Sequence, residues 1–456
     1  MSQYAVTNPA TGEVVETFDG ATDQQIQDAI AASKRAFAQW SAQPYGYRAE
    51  RLKKLAQLLR ERSRELAEVS CVEMGKPLPE MVEEVEFSAD IIEYYADNGE
   101  TFAAEQAIPS ADGTAVLRRL PIGPLLGIMP WNFPYYQVAR FAGPNLMLGN
   151  TIILKHAEIC PRSALRFEEL TREAGIPAGV YTNVFATHEQ ISDIIADRRI
   201  QGISLTGSER AGAAVAAQAG EKLKKVVLEL GGTDPYVVLD TDDVAAAAQL
   251  AWETRMVNTG QACNSNKRII VMEDIYDEFV AELVKLAEAM TSTTWDAYAE
   301  ATYCPLSSRG AAENLRSQLE QAVAAGANLR TGGELADTGA YVSPAVITDI
   351  PRGSDSYYAE FFGPVAEVYK VASDEEAVEL ANDSLYGLGG AVFSTDEGRA
   401  KAVADRLEVG MANVNTPAGE GVELPFGGVK QSGYGRELGP VGMDEFVNKQ
   451  LYFVAD

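Results

Sequence analysis

What most constrains the fold of this chain is an alternation that runs from residue 113 onward, between short runs rich in Val, Ile and Leu and stretches with helical spacing. The runs at residues 151–154, 226–228, 236–239 and 268–272 show no in-out alternation of polar and apolar side chains, so both of their faces must be covered. Strands of that kind separated by helices form parallel sheets with helices packed against them, which makes the fold class α/β. Upstream, Thr22 and Gln25 fit a capping box, and Ile26, Ile30 and Phe37 share one face of a helix reaching Trp40. Leu52, Leu55, Leu59 and Leu66 predict a helix over 48–73, and a third is expected over 79–103. Extended segments at 115–120 and 125–129 follow.

The 456 residues suit two or three domains. No stretch reaches the roughly 18 consecutive apolar residues of a membrane span, and Met1, Ser2, Gln3 and Tyr4 lack the basic and apolar regions of a signal peptide. A cytoplasmic location is the expectation. The formal charge of -28 repels nucleic acid and anionic membranes, and would slow an anionic substrate unless the pocket mouth is locally basic. Cys71, Cys160, Cys263 and Cys304 have no metal-like spacing, and His156 and His188 are too few to help build a metal site. Thiol chemistry in this chain needs a carboxylate base.

Asn258-Thr259-Gly260-Gln261-Ala262-Cys263 lies between a helix pattern over 244–256 and the strand at 268–272. A Gly just before a Cys on a short connection lets backbone approach a ligand closely, which suits a thiolate facing a cleft; a lone Cys, however, is more often a buried packing residue. Three further segments bear on it: Glu229-Leu230-Gly231-Gly232, where a strand runs into paired glycines; Pro130-Trp131-Asn132-Phe133-Pro134, an amide fixed between prolines; and Glu360-Phe361-Phe362-Gly363-Pro364, a carboxylate and an aromatic on a rigid turn.

In order and spacing these four segments resemble the aldehyde dehydrogenase superfamily. The resemblance runs from Asn8-Pro9-Ala10-Thr11-Gly12 to the glycine-rich stretch 425–433, and residues 131–140, 154–157 and 427–439 are most similar to the bacterial succinate-semialdehyde dehydrogenase branch. It implies two Rossmann-like α/β domains plus an extended oligomerisation arm: a dinucleotide-binding domain over 1–107 and 128–228, a catalytic domain over 229–435, and an arm made of 108–127 and 436–456. A strand at 446–454 would pair with the arm or with a neighbouring subunit, in a homodimer or homotetramer.

By the same resemblance Cys263 attacks the aldehyde carbon, the Asn132 amide and the Cys263 backbone N–H hold the oxyanion, and Glu229 activates water against the thioester. No GxGxxG follows a strand. Instead Gly207 and Ser208, at the start of a helix pattern over 210–219, match the pyrophosphate cradle. Trp131 and Leu230 line the cofactor cleft, while Glu360 and Phe362 match residues at the nicotinamide ribose and ring. Lys155 and Glu158 match the pair at the adenosine ribose. A carboxylate at Glu158 accepts from ribose hydroxyls and repels a 2′-phosphate, so NAD is favoured, with NADP as the other option.

Substrate signals conflict. Arg140 matches an arginine that clamps the distal carboxylate of succinate semialdehyde, while Glu420 stands in a loop where the branch commonly has a serine, and would repel that carboxylate. Arg255 is two positions out of register with a second substrate arginine and is not counted. Ser265 replaces a second cysteine, so no redox-switch disulfide is expected. The expected activity is oxidation of a small aldehyde such as succinate semialdehyde, with other aliphatic, semialdehyde or aminoaldehyde substrates as alternatives. Ester hydrolysis through a Cys263 thioester, and a non-enzymatic binding role, are the readings from other classes.

Overall fold

The computed structural model describes residues 4–419 and 421–456. A hairpin of β1 (Tyr4–Thr7) and β2 (Val14–Phe18) precedes α1 (Asp23–Trp40), which starts at the expected capping box: Gln25 N donates to the Thr22 hydroxyl at 3.2 Å and Thr22 N to the Gln25 side chain at 2.8 Å. The helix expected over 48–73 is two helices, α2 (Tyr45–Glu61) and α3 (Ser63–Met74), broken at Arg62 (φ −118°, ψ 19°). Leu59 and Leu66 are seven residues apart and keep the same helical phase, so the apolar pattern carries no mark of a break made without Pro or Gly. Next comes α4 (Leu78–Phe102), which packs along α2 and later α5.

β3 (Gln106–Ile108) and β4 (Gly113–Pro121) form a three-stranded antiparallel sheet with the C-terminal strand Val447–Ala455, which pairs with β4 from Val447↔Pro121 to Ala455↔Gly113. The expected arm boundary at 127 cuts through β5 (Pro124–Met129). Its Leu125 and Leu126 are fully buried in the main body, and Gly123 (φ 137°) makes the turn that separates β5 from the arm.

β5, β6 (Thr151–His156), β7 (Tyr181–Asn183), β8 (Gly202–Thr206) and β9 (Lys225–Glu229) form a parallel sheet in the order β9-β8-β5-β6-β7. It is interleaved with α5 (Tyr136–Leu148), α6 (Pro161–Glu173), α7 (His188–Ala196) and α8 (Glu209–Glu221). The chain steps outward from β5 to β7, then restarts on the other side at β8, so a crevice opens at the carboxyl ends of β5 and β8. Gly433–Tyr434 adds antiparallel to β9. The expected catalytic span of 229–435 therefore returns a short strand to the first sheet, because a Gly433 with φ 107° lets its backbone lie against Leu228.

A second sheet holds β10 (Pro235–Val238), followed by α9 (Val244–Met256) and β11 (Arg268–Met272). Its order is Asn328–Thr331, Ala345–Thr348, Val365–Val371, β11, β10, Gly389–Phe393, Met411–Val414, with the first strand antiparallel at the edge. β10 is buried throughout and β11 in all but its last residue, as their unbroken apolar sequences require. Among the described residues no helix is long and apolar enough to cross a membrane.

Candidate active site

The switch-point crevice is where the separated sequence segments meet. β5 delivers Trp131 and Asn132 at its carboxyl end, and β8 delivers Gly207 and the Ser208 cap of α8, whose hydroxyl accepts from Ala211 N at 3.4 Å. The nucleophile segment approaches from the second sheet, on the connection between α9 and β11. Asn132 Nδ2 donates to Gln261 O at 3.1 Å, and Asn258 Nδ2 donates back to Asn132 O at 2.9 Å.

That connection holds three successive residues at positive φ: Asn258 (51°), Thr259 (52°) and Gly260 (76°). For non-glycine residues this conformation costs roughly 1–2 kcal/mol each. Arg255, fully buried, offsets the strain with a fork of donors: to Gly260 O at 3.0 Å, the Ser265 hydroxyl at 2.9 Å, Phe361 O at 2.8 Å, Gly363 O at 2.6 Å and Val365 O at 2.7 Å. It shapes the loop and leaves no donor for substrate. A Cβ on Gly260 would lie 2.2 Å from Gly363 O. Gly260→Ala is expected to destabilise the fold by about 2–4 kcal/mol, combining conformational strain with the clash, as measured by denaturant unfolding; a loss under 0.5 kcal/mol would contradict this packing.

Burial raises the Cys263 thiol to about 11; Arg140 and Lys267 pull it down, and Glu229 and Asp234 push it up. The resting group is therefore a thiol, whose proton must leave on attack. Lys267, which the sequence reading overlooked, is fully buried. Its ammonium donates to Ala262 O at 2.8 Å and Cys263 O at 2.9 Å and pairs with Glu360 Oε1 at 2.9 Å. A lysine opening a buried strand just after the cysteine was the available signal.

Glu229 ends β9 fully enclosed, and neither carboxylate oxygen has a hydrogen-bond partner among the described residues. Burial, then Glu437, raises its pKa well above the ordinary carboxylate range, with Arg140 and Arg436 opposing. A Cβ on Gly427 would sit 2.7 Å from Glu229 Oε1, so the glycine-rich 426–435 stretch keeps room around the carboxylate. A buried, unpartnered carboxylate with a raised pKa beside a thiol is the pattern of a general base.

Arg140 is placed differently from an open substrate clamp. It is fully buried on α5, with Nε 2.7 Å from Glu437 Oε2 and its guanidinium over the Phe426 and Tyr136 rings at 4.3 and 4.6 Å. Gln137 and the Tyr136 hydroxyl take its terminal nitrogens. The partner carboxylate arrives almost 300 residues later, so the motif reading saw only the cation. Arg140→Met should cost about 3–5 kcal/mol by leaving Glu437 buried without a counter-charge, and adding Glu437→Gln should restore part of that. Chemical denaturation of the single and double variants reads both; a single variant as stable as the wild type would contradict the pairing. Glu420 lies outside the described residues.

The remaining residues expected at the cofactor lie around the same crevice. Glu360 Oε1 accepts from Gly232 N at 3.1 Å, and a Cβ on Gly231 would lie 2.6 Å from its other oxygen. Trp131 and Phe362 meet edge to face at 5.8 Å. Leu230 is buried against Gly212 of α8. Lys155, the last residue but one of β6, pairs with Glu158, which also lies 3.8 Å from His188 Nε2. A switch point, a helix N-terminus with Ser208 at its cap, and a carboxylate held against glycines that leave no space for a side chain fit a dinucleotide.

The sequence matches the aldehyde dehydrogenase family model over residues 1–451. It is 47% identical over 449 residues to a Deinococcus radiodurans protein named succinate-semialdehyde dehydrogenase, NADP(+), covering 98% of this chain and 94% of that one. A Mycobacterium tuberculosis protein named succinate-semialdehyde dehydrogenase, NADP(+), 1 is 39% identical over 456 residues, covering 99% of each. A crystal structure of succinic semialdehyde dehydrogenase from Streptococcus pyogenes in complex with NADP+ as the cofactor superposes with a TM-score of 0.96 at 42% identity, covering 99% of this chain and 100% of that one. These relatives overturn the preference for NAD drawn from Glu158. The physical reason is local: Lys155 already balances that carboxylate, so its charge does not face a 2′-phosphate alone.

Proposed function

Because the chain belongs to the aldehyde dehydrogenase family, and is thus an oxidoreductase, we propose that it oxidises succinate semialdehyde to the acid with NADP+. The observation that carries this reading is the convergence of Asn132, Cys263 and an unpartnered Glu229 at the crevice between the two sheets. The names of its relatives supply the substrate and cofactor.

Cys263 Sγ adds to the aldehyde carbon and gives a thiohemiacetal, with Glu229 placed to take the thiol proton. The oxyanion lies against Asn132 Nδ2 and the Cys263 N–H, donors typically worth about 3–4 kcal/mol each in a transition state. The dinucleotide, when bound, supplies the hydride acceptor. Glu360 and Phe362 hold its nicotinamide end, Gly207 and Ser208 its phosphates, and Lys155 its adenosine end. Once Glu229 has passed the thiol proton to solvent, it draws a proton from water as that water adds to the Cys263 thioester, and collapse releases the acid and regenerates the thiolate.

An aldehyde panel assayed with each dinucleotide tests the reading: succinate semialdehyde, an uncharged aldehyde of similar length and an aminoaldehyde. The highest kcat/KM is expected for succinate semialdehyde with NADP+, and preference for the cationic aldehyde would overturn the substrate assignment. Lys155→Ala should weaken NADP+ binding by about ten- to a hundredfold, since one charge-assisted contact is worth roughly 1.5–3 kcal/mol, and should weaken NAD+ less. Equal losses by fluorescence titration would remove Lys155 from the 2′-phosphate.

A further inference from the structure

Helix α4 carries Glu80 and Glu84 one turn apart, and each touches one half of the proposed oxyanion site. Glu80 Oε2 accepts from Asn258 N at 2.7 Å, at the first of the three positive-φ residues ahead of Cys263. Glu84 Oε1 accepts from Tyr135 N at 2.9 Å and Tyr136 N at 3.2 Å, fixing the start of α5 just after Asn132. Lys76, fully buried, pairs with Glu84 Oε2 and lies 3.5 Å over the Phe133 ring, next to Asn132. Phe133 and Asn258 are thus both tied to one short stretch of chain, residues 76–84, outside the crevice.

We infer that Lys76, Glu80 and Glu84 form a positioning clamp that sets the distance between the Asn132 amide and the Cys263 backbone N–H. The inference rests on the reading that these two donors stabilise the oxyanion. An oxyanion site must hold its donors to within about half an ångström, and here they come from different sheets, joined directly through the hydrogen bonds of Asn132, Asn258 and Gln261. A bracket contacting both sides removes the remaining freedom. Glu80 is suited to it because its side-chain oxygen reaches the Asn258 N–H at 2.7 Å, and because the Asn258 backbone it holds is in a conformation that relaxes if released. None of the three residues needs to touch substrate or cofactor.

The test is a comparison of Glu80→Ala, Glu80→Gln and Glu80→Asp in the full chain, with kcat, KM for succinate semialdehyde and NADP+ binding measured for each. Glu80→Ala should lose at least tenfold in kcat while both KM and the NADP+ affinity stay within threefold. Glu80→Gln, whose amide oxygen still accepts from Asn258 N, should recover to within threefold of wild type. Glu80→Asp keeps the charge but withdraws the acceptor by one methylene, so it should fall with the alanine variant, and it reports even if alanine at this position prevents folding. A kcat within twofold of wild type in Glu80→Ala or Glu80→Asp, a loss in KM alone, or a glutamine variant as impaired as the shortest one would each overturn the clamp. Asn132→Ala is measured in parallel and should lose about 10²-fold in kcat. Retained kcat there overturns the oxyanion reading and the clamp with it, whereas loss there without loss at Glu80 overturns the clamp alone.

Discussion

Cys263→Ala is expected to reduce aldehyde oxidation to below about 10⁻⁴ of wild type while leaving NADP+ affinity within roughly threefold. The first part follows because the other hydroxyls and thiols named near Cys263 are engaged or buried: Ser265 accepts from Arg255 at 2.9 Å, and Thr259 and Cys304 are buried. The second follows because the contacts assigned to the dinucleotide come from β5, β6, β8 and the Glu360 turn, and the Cys263 side chain holds none of them in place. Lys267 grips the Cys263 carbonyl, which alanine retains. Steady-state turnover and a fluorescence titration check the two parts separately. Residual turnover above a few per cent would sink the assignment, and a collapse of NADP+ binding would mean that the thiol is structural.

Glu229→Gln should separate the two halves of the reaction. Thiol addition and hydride loss need the carboxylate only to accept a proton that bulk base can also take, whereas water attack on the thioester in a closed site depends on it. We expect a burst of NADPH approaching one equivalent per active site, then a steady rate lower by about 10²–10⁴. Mass spectrometry of the quenched protein should show the acyl group on Cys263. No burst together with unchanged steady turnover would remove Glu229 from the chemistry. The pH dependence has a definite sign. Because burial raises the Glu229 pKa, its folded value lies above its unfolded one, so the neutral form favours the native state and that stability is lost as pH rises through the folded value. Glu229→Gln should therefore gain stability over wild type as pH increases, measured by thermal unfolding, while activity moves the opposite way.

The α/β class was legible because fully buried strands leave no polar alternation, and residues 268–272 were bounded correctly for that reason. Asn132, Glu229 and Cys263 were legible because each sits where a strand or helix gives way to a Gly- or Pro-marked turn. Less visible was anything decided by a distant partner. Glu437 neutralises Arg140 and Glu80 reaches Asn258 across 178 residues of chain, while the Lys155–Glu158 pair is local and its charge balance depends on side-chain geometry that spacing does not report. A motif reports the charge a residue carries; its net field depends on side chains that the fold brings beside it. That is why Glu158 pointed to the wrong dinucleotide. The break at Arg62 was hidden for a related reason: tertiary packing bent the chain where local spacing favoured a continuous helix.

The short strand Gly433–Tyr434 that completes the first sheet beside β9 bears on how the protein is made. Glu229 pairs through its backbone with Gly433, so the strand bearing the proposed base gains its outer neighbour only after residues 433–434 have been made. Until then β9 is an open sheet edge of Val and Leu, able to pair with other nascent chains. A product truncated ahead of Gly433 would expose that edge and, by losing Glu437, would also leave Arg140 buried without its counter-charge.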